Sequence, residues 1–226
     1  MSVKAVVFDL DDTLYPERDY VLSGFAVVGA TLEEKYGITD ATNKLTQLFL
    51  QDRKNVYGRV FERDGVDYSQ KDIDYLADIY RKHKPMLTLP YQSAKTLADL
   101  RKKGYLLGII SDGRPYQQRA KINSLGLDNA VDAIIVTDEL GGENMRKHNP
   151  AAFIKMADLL NVNVEEIGYV GDNPNKDFAV KKHLPLKTVE IKSKGIYNCG
   201  EYLDGIAPDV TVNCINEVAR AVENLS

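Results

Sequence analysis

The sequence has few cysteines, no long apolar run and no excess of positive charge, and each shortage excludes a class of protein. Its two cysteines, Cys199 and Cys214, lack a second pair and a nearby histidine set, so we expect neither a disulfide framework nor a zinc site. No apolar stretch approaches the ~18 residues of a membrane span. The chain also enters a strand too soon after Met1 to hold the apolar core of a signal peptide. A cytoplasmic protein without a membrane partner is therefore expected.

The charge balance argues against a nucleic-acid partner. The formal net charge is -4, the sequence pI is about 5.5, and lysines and arginines are spread along the chain instead of forming a basic block. With 226 residues, 44% of them hydrophobic, the chain can bury a core of ordinary size. A monomer or homodimer is the default expectation.

The order of apolar segments predicts an α/β fold. An apolar run at residues 5–8 is followed by further predicted strands at 105–110, 133–136, 167–170 and 186–191. Helices are predicted between them, near residues 92–103, 115–125, 150–160 and 176–183. This alternation is typical of a Rossmann-like, doubly wound parallel sheet covered by helices on both faces.

One segment interrupts this pattern. Between residues 16 and 87, apolar side chains recur at spacings of three and four, and Ser69 to Asp72 read as a capping box at a helix start. We therefore expect a small helical domain at 16–87, inserted into a catalytic core made of residues 1–15 and 88–226.

Polar residues gather where the predicted strands end. The segments 9–13, 111–113 and 171–177 each follow a strand, and parallel sheets bind ligands beyond the carboxyl ends of their strands. Each segment alone has a simpler explanation as a turn or a helix cap. Their occurrence together, in this order, predicts one functional crevice.

The chemistry of that crevice follows from its carboxylates. Asp9, Asp11 and Asp12 lie within four residues and are costly to hold together unless a cation neutralises them. Together with Asp172 and Asp177 they offer oxygen ligands alone, which suits Mg²⁺. A carboxylate can attack a phosphoryl group to give an aspartyl-phosphate. A second carboxylate could protonate the leaving alcohol and then activate water.

Four segments resemble the ordered motifs of the haloacid dehalogenase-like (HAD) hydrolase superfamily, in its phosphatase branch with a helical cap between the first two motifs. They are FDLDDTLY at 8–15, SDG at 111–113, RKHNP at 146–150 and YVGDNPNKD at 169–177. His148 stands where the family usually has proline.

The resemblance implies a role for each matched position. Asp9 would be the nucleophile and a Mg²⁺ ligand, and Asp11 the acid/base that also binds the metal through its backbone carbonyl. Lys147 would stabilise charge on the nucleophile and the transferring phosphoryl group. Asp172 would be the third metal position. The remaining positions would orient the loop (Thr13), bind phosphoryl oxygens (Ser111, Asp112 and Gly113) and support the site (Asp177).

Three alternatives remain open beside a phosphatase for a small phosphate ester. A 2-haloacid dehalogenase is disfavoured because that branch has no carboxylate at the position of Asp11. A phosphomutase or phosphotransferase would use the same motifs. A non-catalytic relative would be expected to have lost some of Asp9, Asp11, Lys147 and Asp172. The motifs read only the phosphoryl group, so a sugar phosphate and a nucleoside monophosphate are both compatible.

Overall fold

The computed structural model describes residues 2–192, 195 and 200–225. Cys199 lies outside the described residues. The chain divides into two compact units, one formed by Met1–Glu17 with Thr88–Ser226 and the other by Arg18–Leu87. Across the described residues, we find no helix with both the length and the apolar character needed to cross a bilayer.

The unit at 18–87 is helical, and all of its residues are described. Its helices are α1 (Glu17–Tyr36, whose first residue belongs to the other unit), α2 (Ala41–Gln51), α3 (Val56–Asp64) and α4 (Gln70–Lys82). The predicted capping box is present at the start of α4, where Ser69 and Asp72 bond each other's backbone. Leu32, Leu45, Phe61 and Leu76 are fully buried and form part of the apolar interior.

The second unit contains a parallel sheet. Within the described residues its strands are β1 (Ala5–Phe8), β2 (Leu106–Ser111), β3 (Ala133–Val136), β4 (Ile167–Gly171), β5 (Lys187–Ile191) and β6 (Val210–Val212). Their order across the sheet is β3-β2-β1-β4-β5-β6. The two neighbours of β1 are β2 and β4, and all pairs are parallel. The predicted Rossmann-like α/β fold is confirmed.

The structure has helices near three of the predicted positions, 92–103, 115–125 and 150–160, and a further helix near the C-terminal end that was not predicted. They are α5 (Tyr91–Lys102), α6 (Pro115–Ser124), α7 (Ala151–Leu160) and α8 (Val218–Asn224). On one side, Phe153 and Met156 of α7 pack with Val7, Ile110 and Tyr169 of the strands in a buried apolar cluster. The strands are therefore buried in a core, and their polar ends provide the positions for chemistry.

Two further features of this unit differ from the sequence prediction. The helix expected near residues 176–183 is instead a turn followed by a short 3-10 helix, Ala179–Lys182. The backbone N–H of Asn173 donates to the Asp177 carboxylate, and this side-chain contact adds to backbone turn bonds such as that from the N–H of Asp177 to the carbonyl of Asn173 at 3.0 Å. Strand β6 was not predicted, because three residues at the sheet edge carry too little periodicity.

Candidate active site

The ends of three adjacent strands bring the predicted motifs together. Asp9 follows β1, Ser111 ends β2 and Asp172 follows β4. The backbone N–H of Asp9 donates to the carbonyl of Val170 at 2.8 Å, which extends the β1–β4 pairing to the start of the polar loop. A cavity of about 270 Å³ opens at this edge. It is lined by Asp9, Asp11, Asp12, Glu17, Asp112, Gln118, Lys147, Asp172, Asn173, Lys176 and Asp177.

Lys147 is the cation at the centre of the cluster. Its ammonium group donates to Oδ1 of Asp9 and, at 2.7 Å, to Oδ1 of Asp177. Only 2% of the residue is exposed. Burial acts to lower the pKa of Lys147, but the adjacent Asp177 and Asp9 carboxylates outweigh it and hold that pKa well above its ordinary value. Lys147 therefore stays protonated beside the predicted nucleophile.

The loop that carries Lys147 is fixed by Asp112. Oδ1 of Asp112 accepts the backbone N–H of Lys147 at 3.1 Å and the hydroxyl of Thr137 at 2.8 Å. The side chain of Asp112 thus organises the lysine loop, a contact that the motif alone did not predict. In the predicted phosphoryl-binding role only its backbone amide takes part.

Asp177 is held by three hydrogen bonds. Besides Lys147, it accepts the hydroxyl of Tyr169 at 3.0 Å and the backbone N–H of Asn173 at 2.9 Å. It is fully buried. Gly171 makes this arrangement possible, since a Cβ at that position would lie 2.5 Å from Oδ2 of Asp177.

Asp9, Asp172 and Asp177 form the group that suits a cation. All three are buried, and one carboxylate oxygen from each lies within 4.8 Å of the others. The hydroxyl of Thr13 is 3.4 Å from both Oδ2 of Asp9 and Oδ1 of Asp172, so it bridges the two side chains. A purely oxygen-donating, buried and anionic group is the donor set that Mg²⁺ prefers.

The raised pKa values of two of these carboxylates indicate that nearby positive charge does not balance their negative charge. Burial raises the pKa of Asp172 to about 9, and the charges of Asp9 and Asp177 add to this effect. Burial also raises the pKa of Asp9 to about 7, with Lys147 opposing the rise and Asp177 adding to it. Since Lys147 alone does not keep both groups ionised, a divalent cation fits the chemistry of the site.

The hydrogen-bond partners of the Asp11 carboxylate differ from those of Asp9. Its carboxylate accepts the ammonium of Lys121 at 2.8 Å on both oxygens, the amide of Gln118 at 3.0 Å and the hydroxyl of Tyr15 at 2.6 Å. Burial acts to raise the pKa of Asp11, but Lys121 and these hydrogen bonds outweigh it and lower that pKa. The Asp11 side chain is not one of the three that cluster around the candidate cation position.

The second motif contributes a hydroxyl and a glycine. The hydroxyl of Ser111 is completely buried and has no hydrogen-bond partner. Gly113 has a φ of +135°, and a Cβ there would lie 2.8 Å from Nε2 of Gln118. A buried hydroxyl without a hydrogen-bond partner lowers the stability of a protein, so Ser111 suits a ligand that accepts a hydrogen bond from it.

Sequence reasoning did not predict the site contacts of Gln118, Lys121 and Tyr169. A signal was present for the first two, because Gln118, Lys121 and Ile122 recur at the spacing of a buried helix face. Polar residues at such positions need buried partners. Tyr169 gave no comparable signal, because it belongs to an apolar strand and only its terminal hydroxyl is polar.

Comparison with known proteins identifies the family. Residues 3–180 match the sequence profile of the haloacid dehalogenase-like hydrolases. The chain belongs to this family. A glyceraldehyde 3-phosphate phosphatase from Methanocaldococcus jannaschii is 32% identical over 99% of this chain and 98% of its own. The pyrophosphatase PpaX of Halalkalibacterium halodurans is 26% identical over 84% of each chain.

Solved structures agree on the fold. The crystal structure of a HAD phosphatase from Thermococcus onnurineus superposes with a TM-score of 0.61 at 24% identity, covering 97% of this chain and 98% of its own. At that identity the likeness shows the HAD fold alone. The family match, together with relatives that are named as phosphatases, identifies this HAD protein as an enzyme of the phosphatase type.

Proposed function

We propose that this HAD enzyme is a Mg²⁺-dependent phosphatase that hydrolyses a small phosphate monoester through an aspartyl-phosphate on Asp9. The observation that carries the proposal is the position of Asp9, which lies in the cavity between the Lys147 ammonium and the Asp172 carboxylate. An attacking carboxylate must stay ionised, and the positive charge of a buried lysine beside it stabilises that ionised form.

The first half-reaction uses Asp9 and Asp11. A carboxylate oxygen of Asp9 attacks phosphorus, and the bond from phosphorus to the ester oxygen breaks. Asp11, which must carry a proton at the start of this step although Lys121 lowers its pKa, gives that proton to the departing alkoxide. Ser111 donates its free hydroxyl to a phosphoryl oxygen. Lys147 remains charged throughout. Its ammonium offsets the negative charge while that charge shifts from Asp9 to the phosphoryl group.

The second half-reaction restores the enzyme. Asp11 takes a proton from water, the water oxygen bonds to phosphorus, and the bond from phosphorus to Asp9 breaks to release inorganic phosphate. When bound by Asp9 and Asp172, with the backbone carbonyl of Asp11, Mg²⁺ would supply electrostatic stabilisation of the phosphoryl oxygens. Asp177 would support the site by fixing Lys147.

For the substrate we propose a sugar phosphate, with a triose phosphate as the first compound to test. The cavity of about 270 Å³ is small and lined by charged and amide side chains, which favours a short polar leaving group. The relative from Methanocaldococcus jannaschii is named for glyceraldehyde 3-phosphate. Nucleoside monophosphates remain the second class. The helical unit occupies the chain position of a family cap, and we propose that role for it.

The decisive experiment measures phosphate release from a panel of phosphorylated compounds by the purified enzyme, with Mg²⁺ and with EDTA. The panel contains triose phosphates, larger sugar phosphates, nucleoside monophosphates and pyrophosphate. We expect Mg²⁺-dependent release that is fastest with a triose phosphate. Preferential cleavage of pyrophosphate would instead place the enzyme with the PpaX relatives.

Two outcomes would overturn the proposal. Metal-independent chloride release from chloroacetate would indicate a dehalogenase. Conversion of a sugar phosphate into its isomer, without free phosphate, would indicate a mutase.

A further inference from the structure

Lys121 is a second buried lysine in this site, and none of the four motifs includes it. It lies in α6, only 3% of the residue is exposed, and its ammonium contacts both oxygens of Asp11 at 2.8 Å. A further contact of 3.6 Å reaches Glu17, another residue of the cavity wall. Asp9 and Asp11 of the first motif therefore each have their own buried lysine, Lys147 for Asp9 and Lys121 for Asp11.

Gln118 completes the contacts of Asp11 from the same helix. Its Nε2 donates to Oδ2 of Asp11 at 3.0 Å and to the backbone carbonyl of Asp112 at 2.8 Å. Both partners are acceptors only, so the amide group faces them with its nitrogen. Gln118 thus ties the orientation of Asp11 to the loop that carries the predicted phosphoryl-binding groups.

We propose that Lys121, assisted by Gln118, is a positioning residue that orients the Asp11 carboxylate toward the leaving-group oxygen. The proposal rests on the function proposed above, in which Asp11 is the acid/base. Burying a lysine seldom adds net stability, even when it is paired, because the desolvation penalty offsets the attraction. A buried lysine gripping both oxygens of one carboxylate does restrict that carboxylate to one orientation.

Orientation matters because Asp11 acts twice at nearly the same place. It must first reach the ester oxygen and then the attacking water, and a displacement of about 1 Å in such a group can cost ~10²-fold in rate. Helix α6 begins at Pro115, directly after the loop of Ser111 and Gly113. One helix therefore sets the distance between the acid/base and the phosphoryl-binding loop.

The proposal has a consequence that a merely structural role does not share. An alkyl phosphate needs a proton on its departing oxygen, whereas p-nitrophenyl phosphate releases a stable phenolate without one. Misplacing Asp11 should slow the first reaction far more than the second. Both esters share the later hydrolysis of the aspartyl-phosphate, which kcat/KM does not include, so the quantity to measure is the ratio of kcat/KM for the alkyl ester to kcat/KM for p-nitrophenyl phosphate.

The experiment compares Lys121→Met and Asp11→Asn with the parent enzyme on both esters, with Mg²⁺ present. We expect Lys121→Met to lower this ratio by roughly ten- to hundredfold, in the direction of Asp11→Asn, with little change in KM. The double variant should be no slower on the alkyl ester than Asp11→Asn alone. Lys121→Arg, which keeps the charge but moves the donors, should give an intermediate ratio.

Arg119→Met is the matched control. Arg119 lies in the same helix but pairs with Glu139 at the surface, so its loss should leave the ratio unchanged. Equal losses on both esters in Lys121→Met, or additive losses in the double variant, would overturn the positioning role. If Lys121→Met does not fold, Gln118→Met provides the test, and an unchanged ratio in that variant refutes the proposal.

Failure of the positioning role is separable from failure of the proposed function. A parent enzyme that releases phosphate from neither ester overturns both. An active parent enzyme with a uniform loss in the variants overturns only the role of Lys121.

Discussion

Lys147 and Asp9 form a buried ion pair although 138 positions separate them in the chain. The contact joins the loop after β1 to the loop before α7, and Asp177 holds the same ammonium from the loop after β4. Removing one partner of such a pair leaves an uncompensated buried charge, which costs about 3–5 kcal/mol. Predictions about Asp9 must therefore separate chemistry from stability.

Replacing Asp9 with Asn should abolish turnover while the fold remains. Asparagine keeps the shape of the side chain, but its amide cannot attack phosphorus, so kcat should fall by more than about 10³-fold. Phosphate release and circular dichroism measure the two effects. Asp138→Asn, which removes a carboxylate paired with Arg146 outside the cavity lining, is the control and should retain activity. Retained activity in Asp9→Asn would refute the nucleophile assignment.

The thermal stabilisation by Mg²⁺ should grow as pH rises from about 5 to 9. Burial raises the metal-free pKa of Asp9 to about 7 and of Asp172 to about 9, from an ordinary value of 3.8. The folded metal-free protein therefore binds more protons than the unfolded chain in this window, and these two groups make it less stable as pH rises. Cation binding requires both carboxylates ionised, so Mg²⁺ removes that loss.

The measurement is the difference in Tm between Mg²⁺ and EDTA across that pH range. Asp172→Asn should flatten the profile by removing the larger of the two shifts. A Tm difference that is independent of pH in the parent enzyme would contradict the assignment of these carboxylates as ligands.

Ser111→Ala should weaken catalysis without weakening the fold. The hydroxyl of Ser111 is buried and unsatisfied, so its removal should leave Tm unchanged or slightly higher. A hydrogen bond to a charged phosphoryl group is worth about 1.5–3 kcal/mol, which corresponds to roughly a ten- to hundredfold loss in kcat/KM. Ser93→Ala removes a buried hydroxyl that does have a partner, the carbonyl of Leu14, and should lower Tm. A large drop in Tm for Ser111→Ala would show that the hydroxyl has a structural role.

Gly171→Ala should damage the site through Asp177. The new Cβ would lie 2.5 Å from Oδ2 of Asp177, so that carboxylate must move away from Lys147. We expect a loss in kcat of about tenfold or more, because the lysine loses one of its two anchors. Gly108→Ala is the matched control in β2, where the Cβ would meet Met156 at 2.8 Å, and it should cost stability with little effect on kcat. Similar kinetics for the two variants would refute the coupling to Asp177.

The sequence predicted the sheet better than the segments around it. Strands such as Ala133–Val136 are short apolar runs between polar turns, and the periodic pattern locates them closely. Helix α3 lies within the segment predicted as helical but was not delimited in it, since a nine-residue helix offers few turns of periodicity. The segment near residues 176–183 was predicted as an α-helix, but the structure has a turn and the short 3-10 helix Ala179–Lys182 there.

The site was predictable where chemistry depends on residue type and order. Asp9, Asp172 and Lys147 were found by their motifs, and the structure brings their side chains together. The contacts of Asp11 were not predictable, because Lys121 reaches it from 110 positions away. A motif identifies the reacting groups, whereas the residues that orient them depend on how helices are placed.

The central position of β1 has a consequence during protein synthesis. This strand is made first, yet its two neighbours, β2 and β4, come from residues 106–111 and 167–171. A chain that lacks residues 167–177 leaves one edge of β1 unpaired and has neither Asp172 nor Asp177. Under the mechanism proposed above, we therefore expect no phosphoryl transfer from a chain of that length.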